Sequence, residues 1–194
     1  MHKTPLLLLA TLVLILSSQS CADSSSSLPS SSDGGEETIG DVGMGVIAQQ
    51  SAGFDVMKKM VGNWEGELTQ FTGNVINISS EFRMISGGNT ISEKLVEDGV
   101  EMLTTYTDYD GELIVKHYCA LGTEPVFKVQ SVTDNSLSIV VDEAESGYNP
   151  EKDNYVSSMT WTINDGEPNQ MTVGSTVYMD GELQSQRSIV KRVN

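Results

Sequence analysis

Four Asp-Gly pairs, Asp98-Gly99, Asp110-Gly111, Asp165-Gly166 and Asp180-Gly181, cut the second half of this 194-residue chain into short runs of alternating apolar and polar residues. Asp-Gly tolerates the positive backbone angles of a two-residue hairpin, so each pair predicts a tight turn between antiparallel neighbours. Gly87-Gly88-Asn89 and Asp134-Asn135 are further turn candidates. Between the turns the apolar period is two. Ile76, Ile78, Phe82 and Met84 fall on one face, and Asn77, Ser79, Glu81 and Arg83 on the other. Leu137, Ile139 and Val141 repeat the pattern, as do Met159, Trp161 and Ile163, and then Met171, Val173, Val177 and Met179. About ten such runs joined by hairpins form a meander, and a meander with one apolar face closes on itself, because an open sheet would leave unpaired edges and a bare core face. The expected fold is all-β: an antiparallel up-and-down β-barrel of about eight to ten strands.

One end of that barrel has a candidate stopper. Phe54, Met57 and Val61 share a helical face, Lys58 and Lys59 point away from it, and Gly62 stands where a helix would stop. A short N-terminal helix closing the barrel is therefore expected. Trp64, at the mouth of the first strand, is a large apolar plug for the same end. Gly66, two residues later on the same face, leaves room for the indole or for a sharp bend.

The first 21 residues read as an export signal. Lys3 gives a positive start, Leu6 to Leu16 form an apolar run, and Ser18-Gln19-Ser20 supplies small residues before Cys21. That run is too short for a comfortable membrane span, which needs about 20 apolar residues. Residues 1–21 are thus expected to be a signal peptide with a lipobox, residues 22–51 a Ser/Gly-rich tether, and residues 52–194 one barrel domain. Lipidation of Cys21 fits the small residues around it and places the protein in the periplasm or at the outer membrane as a lipoprotein; ordinary cleavage and plain secretion is the alternative. Cys119 then has no disulfide partner, since Cys21 and Cys119 are the only cysteines. With 27 acidic against 11 basic residues and a net charge of −16, the surface repels phosphate backbones and anionic headgroups. Nucleic acid is excluded as a partner, and membrane contact is expected only through a lipid anchor.

Gly62-Asn63-Trp64-Glu65-Gly66 after a short helix, followed by a meander, resembles the calycin superfamily of lipocalins and fatty-acid-binding proteins. Taken with Glu93, Glu101-Met102, Tyr106 and His117-Tyr118-Cys119-Ala120, followed by Gly122 and Pro125, the chain is similar to a bacterial calycin-like domain family over about residues 52 to 194. The resemblance implies a barrel in which an Arg near the end of the last strand packs over the Trp. Arg192 and Arg187 are both candidates, Arg192 for closure and Arg187 also for the lumen. Thr123-Glu124 stands where that family often carries Asn-Gln, and no His occurs around Val156 to Thr160, so no role for those histidines transfers.

His117, the only histidine beyond the signal segment, shares a strand face with Leu113, Val115 and Cys119. A lone His on an apolar face reads first as a hydrogen-bonded core residue. Metal coordination would need further converging ligands, and no metal or cofactor is expected. Cys119 reads as a small buried hydrophobe. Glu93 lies between Ile91 and Leu95 and points to the core unless a bulge turns it to solvent; a buried carboxylate must be paired, hydrogen-bonded or protonated, with Tyr106, His117 or Arg187 as partners. Phe82, Met102 and Trp161 complete the candidate lining of a lumen pocket for a small apolar or amphipathic ligand. Two other classes stay open at this stage: an interaction lipoprotein without a ligand, and an enzyme using Glu93 and His117 as an acid/base pair. Asp108-Tyr109-Asp110-Gly111-Glu112 lacks the ligand spacing of a calcium loop and reads as a hairpin, and Asn77-Ile78-Ser79 inside a strand is a sequon by letters alone.

Overall fold

A computed structural model of the chain describes residues 50–194. The expected signal segment, the lipidation site Cys21 and all but the end of the tether lie outside the described residues. Ser51 caps the first element, its Oγ accepting from the Phe54 N–H at 3.2 Å, and helix α1 runs from Ala52 to Lys58. Seven residues are too few for a stable isolated helix, so its place depends on the buried face of Gly53, Phe54, Val56 and Met57. Met60 is buried as well, and Gly62, at φ +128°, redirects the chain into the sheet.

Ten antiparallel strands follow: β1 (Gly62–Thr69), β2 (Val75–Ile85), β3 (Thr90–Glu97), β4 (Val100–Tyr109), β5 (Glu112–Tyr118), β6 (Val126–Val132), β7 (Ser136–Val141), β8 (Tyr155–Ile163), β9 (Gln170–Met179) and β10 (Glu182–Val193). Each pairs with its sequence neighbours, and β1 pairs with β10, which closes an up-and-down barrel as expected. Asp98-Gly99, Asp110-Gly111 and Asp180-Gly181 are two-residue turns with positive φ at both positions. Asp165-Gly166 differs. Only Gly166 has a positive φ there, and the connection runs from Asn164 to Asn169, held by backbone bonds from Glu167 to Asn164 and from Gln170 to Glu167. A short helix α2 (Glu143–Ser146) interrupts the β7–β8 connection, whose Tyr148 stacks on Tyr155 against the outer wall. Met84, grouped with the core face by its parity, is exposed, because β2 extends past the packed interior before it turns.

The seal at the α1 end is built from the first and last strands. Trp64 is fully buried and donates its indole N–H to the Met60 carbonyl at 2.7 Å. Arg192, its cross-strand partner, lies over the indole at 4.3 Å from ring atoms' centroid and donates to the carbonyls of Val61 (2.6 Å) and Lys59 (2.8 Å). The arginine over Trp64 is therefore Arg192; Arg187, of opposite parity, faces outward. Gly66 has a different reason from the expected one. A Cβ there would come within 2.1 Å of the Ile189 carbonyl oxygen, so the constraint is the close approach of the β10 backbone, and the indole is not involved.

This geometry makes a direct prediction. Gly66→Ala should cost about 3 kcal/mol or more of stability in urea denaturation, since backbone must move. Gly174→Ala, where an added methyl meets nothing within 4 Å, should change stability by less than about 1 kcal/mol.

Candidate functional site

Side-chain size divides the lumen into two halves. Toward α1 it is filled by Phe54, Met57, Met60, Trp64, Phe82, Ile91, Tyr106, Val115, Phe127, Leu137 and Ile139, all at or below 1% exposure. Phe82, Tyr106 and Trp161 form an aromatic floor, with ring centroids 6.1 Å apart for the first pair and an edge-on 5.5 Å for the second. Above the floor the inward positions are smaller or flexible: Ser80, Ser175 and Ser188, Cys119 and Ala120, Val156, Val173 and Val177, with Met102 and Met159. They leave a cavity of about 320 Å³ that reaches toward the barrel end opposite α1, where half-exposed Phe71 and Leu121 stand at the rim.

A polar row crosses the cavity floor. Phe82, Glu93, Thr104 and His117 are direct cross-strand partners on β2, β3, β4 and β5, so strand register alone puts their side chains side by side on the lumen face. Glu93, 3% exposed, accepts from Ser80 Oγ at 2.8 Å and from the Tyr106 hydroxyl at 2.6 Å. Burial pushes its carboxyl above the usual range, and the hydroxyls of Tyr106, Ser80 and Thr104 oppose that rise. Tyr106 is pushed well above its ordinary value by burial and by the charge of Glu93. His117 is 2% exposed and pairs through Nδ1 with Thr104 Oγ1 at 2.9 Å. Burial lowers its pKa to about 4, so the ring is neutral at physiological pH. Glu97, one step nearer the mouth than Leu95 on the same face of β3, is half-buried; burial and then the Glu93 charge raise its pKa.

The candidates therefore separate. Glu93, Met102, His117, Cys119 and Trp161 line the cavity; Phe82 and Tyr106 lie beneath it, and Tyr106 supports Glu93 from there. Arg187 is a correction: it is exposed in an outer groove along β1 and β10, because lumen-facing positions on β10 are the even ones, Gln186, Ser188 and Val190. No bulge turns Glu93 outward. Glu93 and His117 share the lumen face, but Thr104 stands between them and they do not bond directly. Burial raises the Cys119 thiol, which keeps it protonated. Among the described residues no group of three or more His, Cys, Asp or Glu is placed to hold a metal ion. Sequence reasoning missed Ser80, Thr104 and Glu97. The signal for each was parity: Ser80 alternates with Ile78 and Phe82, Thr104 with Met102 and Tyr106, and Glu97 repeats the face of Glu93.

No protein-family model and no curated protein matches the chain. Among solved structures it is similar to a protein of unknown function from the DUF3598 family of Nostoc punctiforme, with a TM-score of 0.52 and 12% identity over 71% of this chain and 49% of that one. The chain thus spans about half the length of that protein, and the likeness is one of fold. Two designed proteins also align: EF1p2_mFAP2b bound to DFHBI (TM-score 0.39, 14% identity, 73% of this chain and 99% of that one) and the redesigned β-barrel mFAP1 bound to DFHBI (0.37, 17%, 74% and 100%). The closed ten-stranded meander fits a calycin-like fold.

The His117 environment predicts an acid-linked loss of stability. An unfolded His takes up its proton near 6.5 and the folded one only near 4, so the unfolded state binds more protons between those values and stability falls as pH drops through that window. Glu93 and Glu97 act oppositely, since their raised values favour the folded state below the ordinary carboxyl pKa and lose that benefit as pH rises. The comparison with His117→Gln isolates the imidazole. Between pH 6.5 and 4 the wild type should lose about 2–3 kcal/mol relative to the variant in urea melts.

Proposed function

We propose that the protein is an exported barrel, tethered through a lipidated Cys21 in the periplasm or at the outer membrane, that holds one small, largely apolar molecule in its lumen. The observation that carries the binding reading is the hollow half of the barrel. Its volume of about 320 Å³ lies at the lower end of the usual range for small-molecule sites, and its apolar walls converge on a few fixed polar groups, Glu93, His117 and Glu97. A wall of hydrogen-bonded strands around that space is a rigid container, so a guest needs little reorganisation on entry. The tether reading draws on Lys3, the Leu6 to Leu16 run and the small residues before Cys21. The Gly62-Asn63-Trp64-Glu65-Gly66 and His117-Tyr118-Cys119-Ala120 segments support a place among the bacterial calycin-like domains. The interaction-lipoprotein reading has one feature in its favour, the exposed cross-strand pair Leu103 and Tyr118 on the outer wall.

Native mass spectrometry of the protein purified from its own cells tests both parts. A co-purifying small molecule and a diacylglyceryl group on Cys21 are expected; a bare lumen in every preparation, or a chain cut elsewhere and unmodified, would contradict the respective part. Ser175→Trp adds a side chain into the cavity from β9. It should abolish binding of an environment-sensitive apolar dye, with the far-ultraviolet circular dichroism unchanged. Dye binding as strong as in the wild type would place the site elsewhere on the barrel.

A further inference from the structure

The charged and one-way polar groups of the lumen are hydrogen-bond acceptors. The hydroxyls of Ser80 and Tyr106 donate to the Glu93 carboxyl, with Thr104 its neighbour on β4, an arrangement that suits a carboxylate with its lone pairs taken up by donors. In the tautomer with its proton on Nδ1, His117 donates to Thr104 Oγ1 across the 2.9 Å contact, and the neutral ring is left with a bare lone pair on Nε2. That nitrogen bonds none of the described residues, although His117 is 2% exposed and lines the cavity. It opens to the cavity, where a guest's donor can meet it. Nearer the mouth, Glu97 adds a second carboxyl on the same face of β3, and among the described residues no Lys or Arg lines the cavity. The hydroxyls of Ser175 and Ser188 and the amides of Gln70 and Gln186 can play either role and do not set the preference.

Resting on the lumen-binding reading above, we propose that the guest is an amphipathic alkylamine, its ammonium held between the Glu93–Thr104–His117 floor and Glu97 and its hydrocarbon laid against Leu95, Met102, Val156 and Met159. A neutral guest would supply no counter-charge to two carboxyls that burial already shifts toward the protonated form. A carboxylate guest would set a further acidic group beside Glu93 and Glu97, at the cost of like-charge repulsion or of more proton uptake. An ammonium supplies N–H donors for Nε2 and the carboxylates and offsets their charge.

Calorimetric titration of the purified protein at neutral pH with octylamine, octanol, octanoate and octyltrimethylammonium tests this. Octylamine should bind about tenfold or more tighter than octanol, with octanoate weakest. Octyltrimethylammonium, which keeps the charge and has no N–H, should bind several-fold more weakly than octylamine. In Glu97→Gln, an isosteric change at a half-buried position, the amine-to-alcohol preference should shrink several-fold. If octanol or octanoate binds as tightly as the amine, or the trimethylated probe matches it, the amine assignment is overturned while the lumen site stands. An unchanged preference in Glu97→Gln overturns the placement of the ammonium. If none of the four probes binds, the lumen reading itself fails, and the amine assignment with it.

Discussion

The contact on which the rest of the barrel depends is Arg192 lying over Trp64. It joins the last strand to the first, covers the indole that plugs the interior, and caps the carbonyls of Lys59 and Val61 at the end of the helical segment. These roles cannot be separated in space. The cross-strand register of Trp64 with Arg192 means that closing the sheet and sealing its end are one event. A seven-residue helix would not persist without that anchorage, and without the helix the Phe54, Met57 and Met60 side chains would leave the packed half open to water. Gly66 belongs to the same device, because its missing Cβ lets β10 come close enough for the pairing to form.

With one end sealed and packed, the other end is free to be hollow. The change from Trp, Phe and Ile below the floor to Ser, Cys, Ala and Val above it removes the volume that close packing would need, and β-barrel hydrogen bonding keeps the walls from collapsing into the gap. The polar row lies at the boundary between the two halves. Placed lower, Glu93 would have no water or guest to share its charge; placed higher, it would lose the Tyr106 hydroxyl that rises from the floor to hold it. Its position lets a buried carboxylate be solvated by protein hydroxyls on one side and face the cavity on the other. The same burial that raises Glu93 and Glu97 lowers His117, so it shifts all three toward their neutral forms and leaves the lumen without a resident cation among the described residues.

Much of this could be read from local sequence. Period-two alternation put His117 and Trp161 on the inner face and Glu93 there unless a bulge turned it out, and the Asp-Gly pairs at Asp98, Asp110 and Asp180 marked two-residue turns because positive φ at both positions is a property of the dipeptide itself. Asp165-Gly166 escaped the rule since the surrounding Asn164 and Gln170 offer side-chain and backbone bonds that stabilise a longer loop. What local pattern could not supply was anything decided by pairing across the closure. Leu183 and Ile189 are apolar yet point outward, which obscured the parity of β10 and left Arg187 and Arg192 indistinguishable until β1 was set beside them. The reason for Gly66 lay in a backbone more than a hundred residues away in sequence, and the Glu93–Thr104–His117 row required the register of three successive hairpins together. Helix-end packing and lumen volume are likewise sums over all ten strands.

The division into a sealed half and a hollow half is most directly tested by the two tryptophans, which give two separate indole signals in a nitrogen-15 NMR spectrum. Trp161 lines the cavity, whereas Trp64 is buried at the seal with its N–H on Met60. On saturation with octanol, the Trp161 indole signal should shift and that of Trp64 should stay in place. A Trp64 signal that shifts alongside it, or a Trp161 signal that does not move, would contradict a lumen that is open at one end and closed at the other.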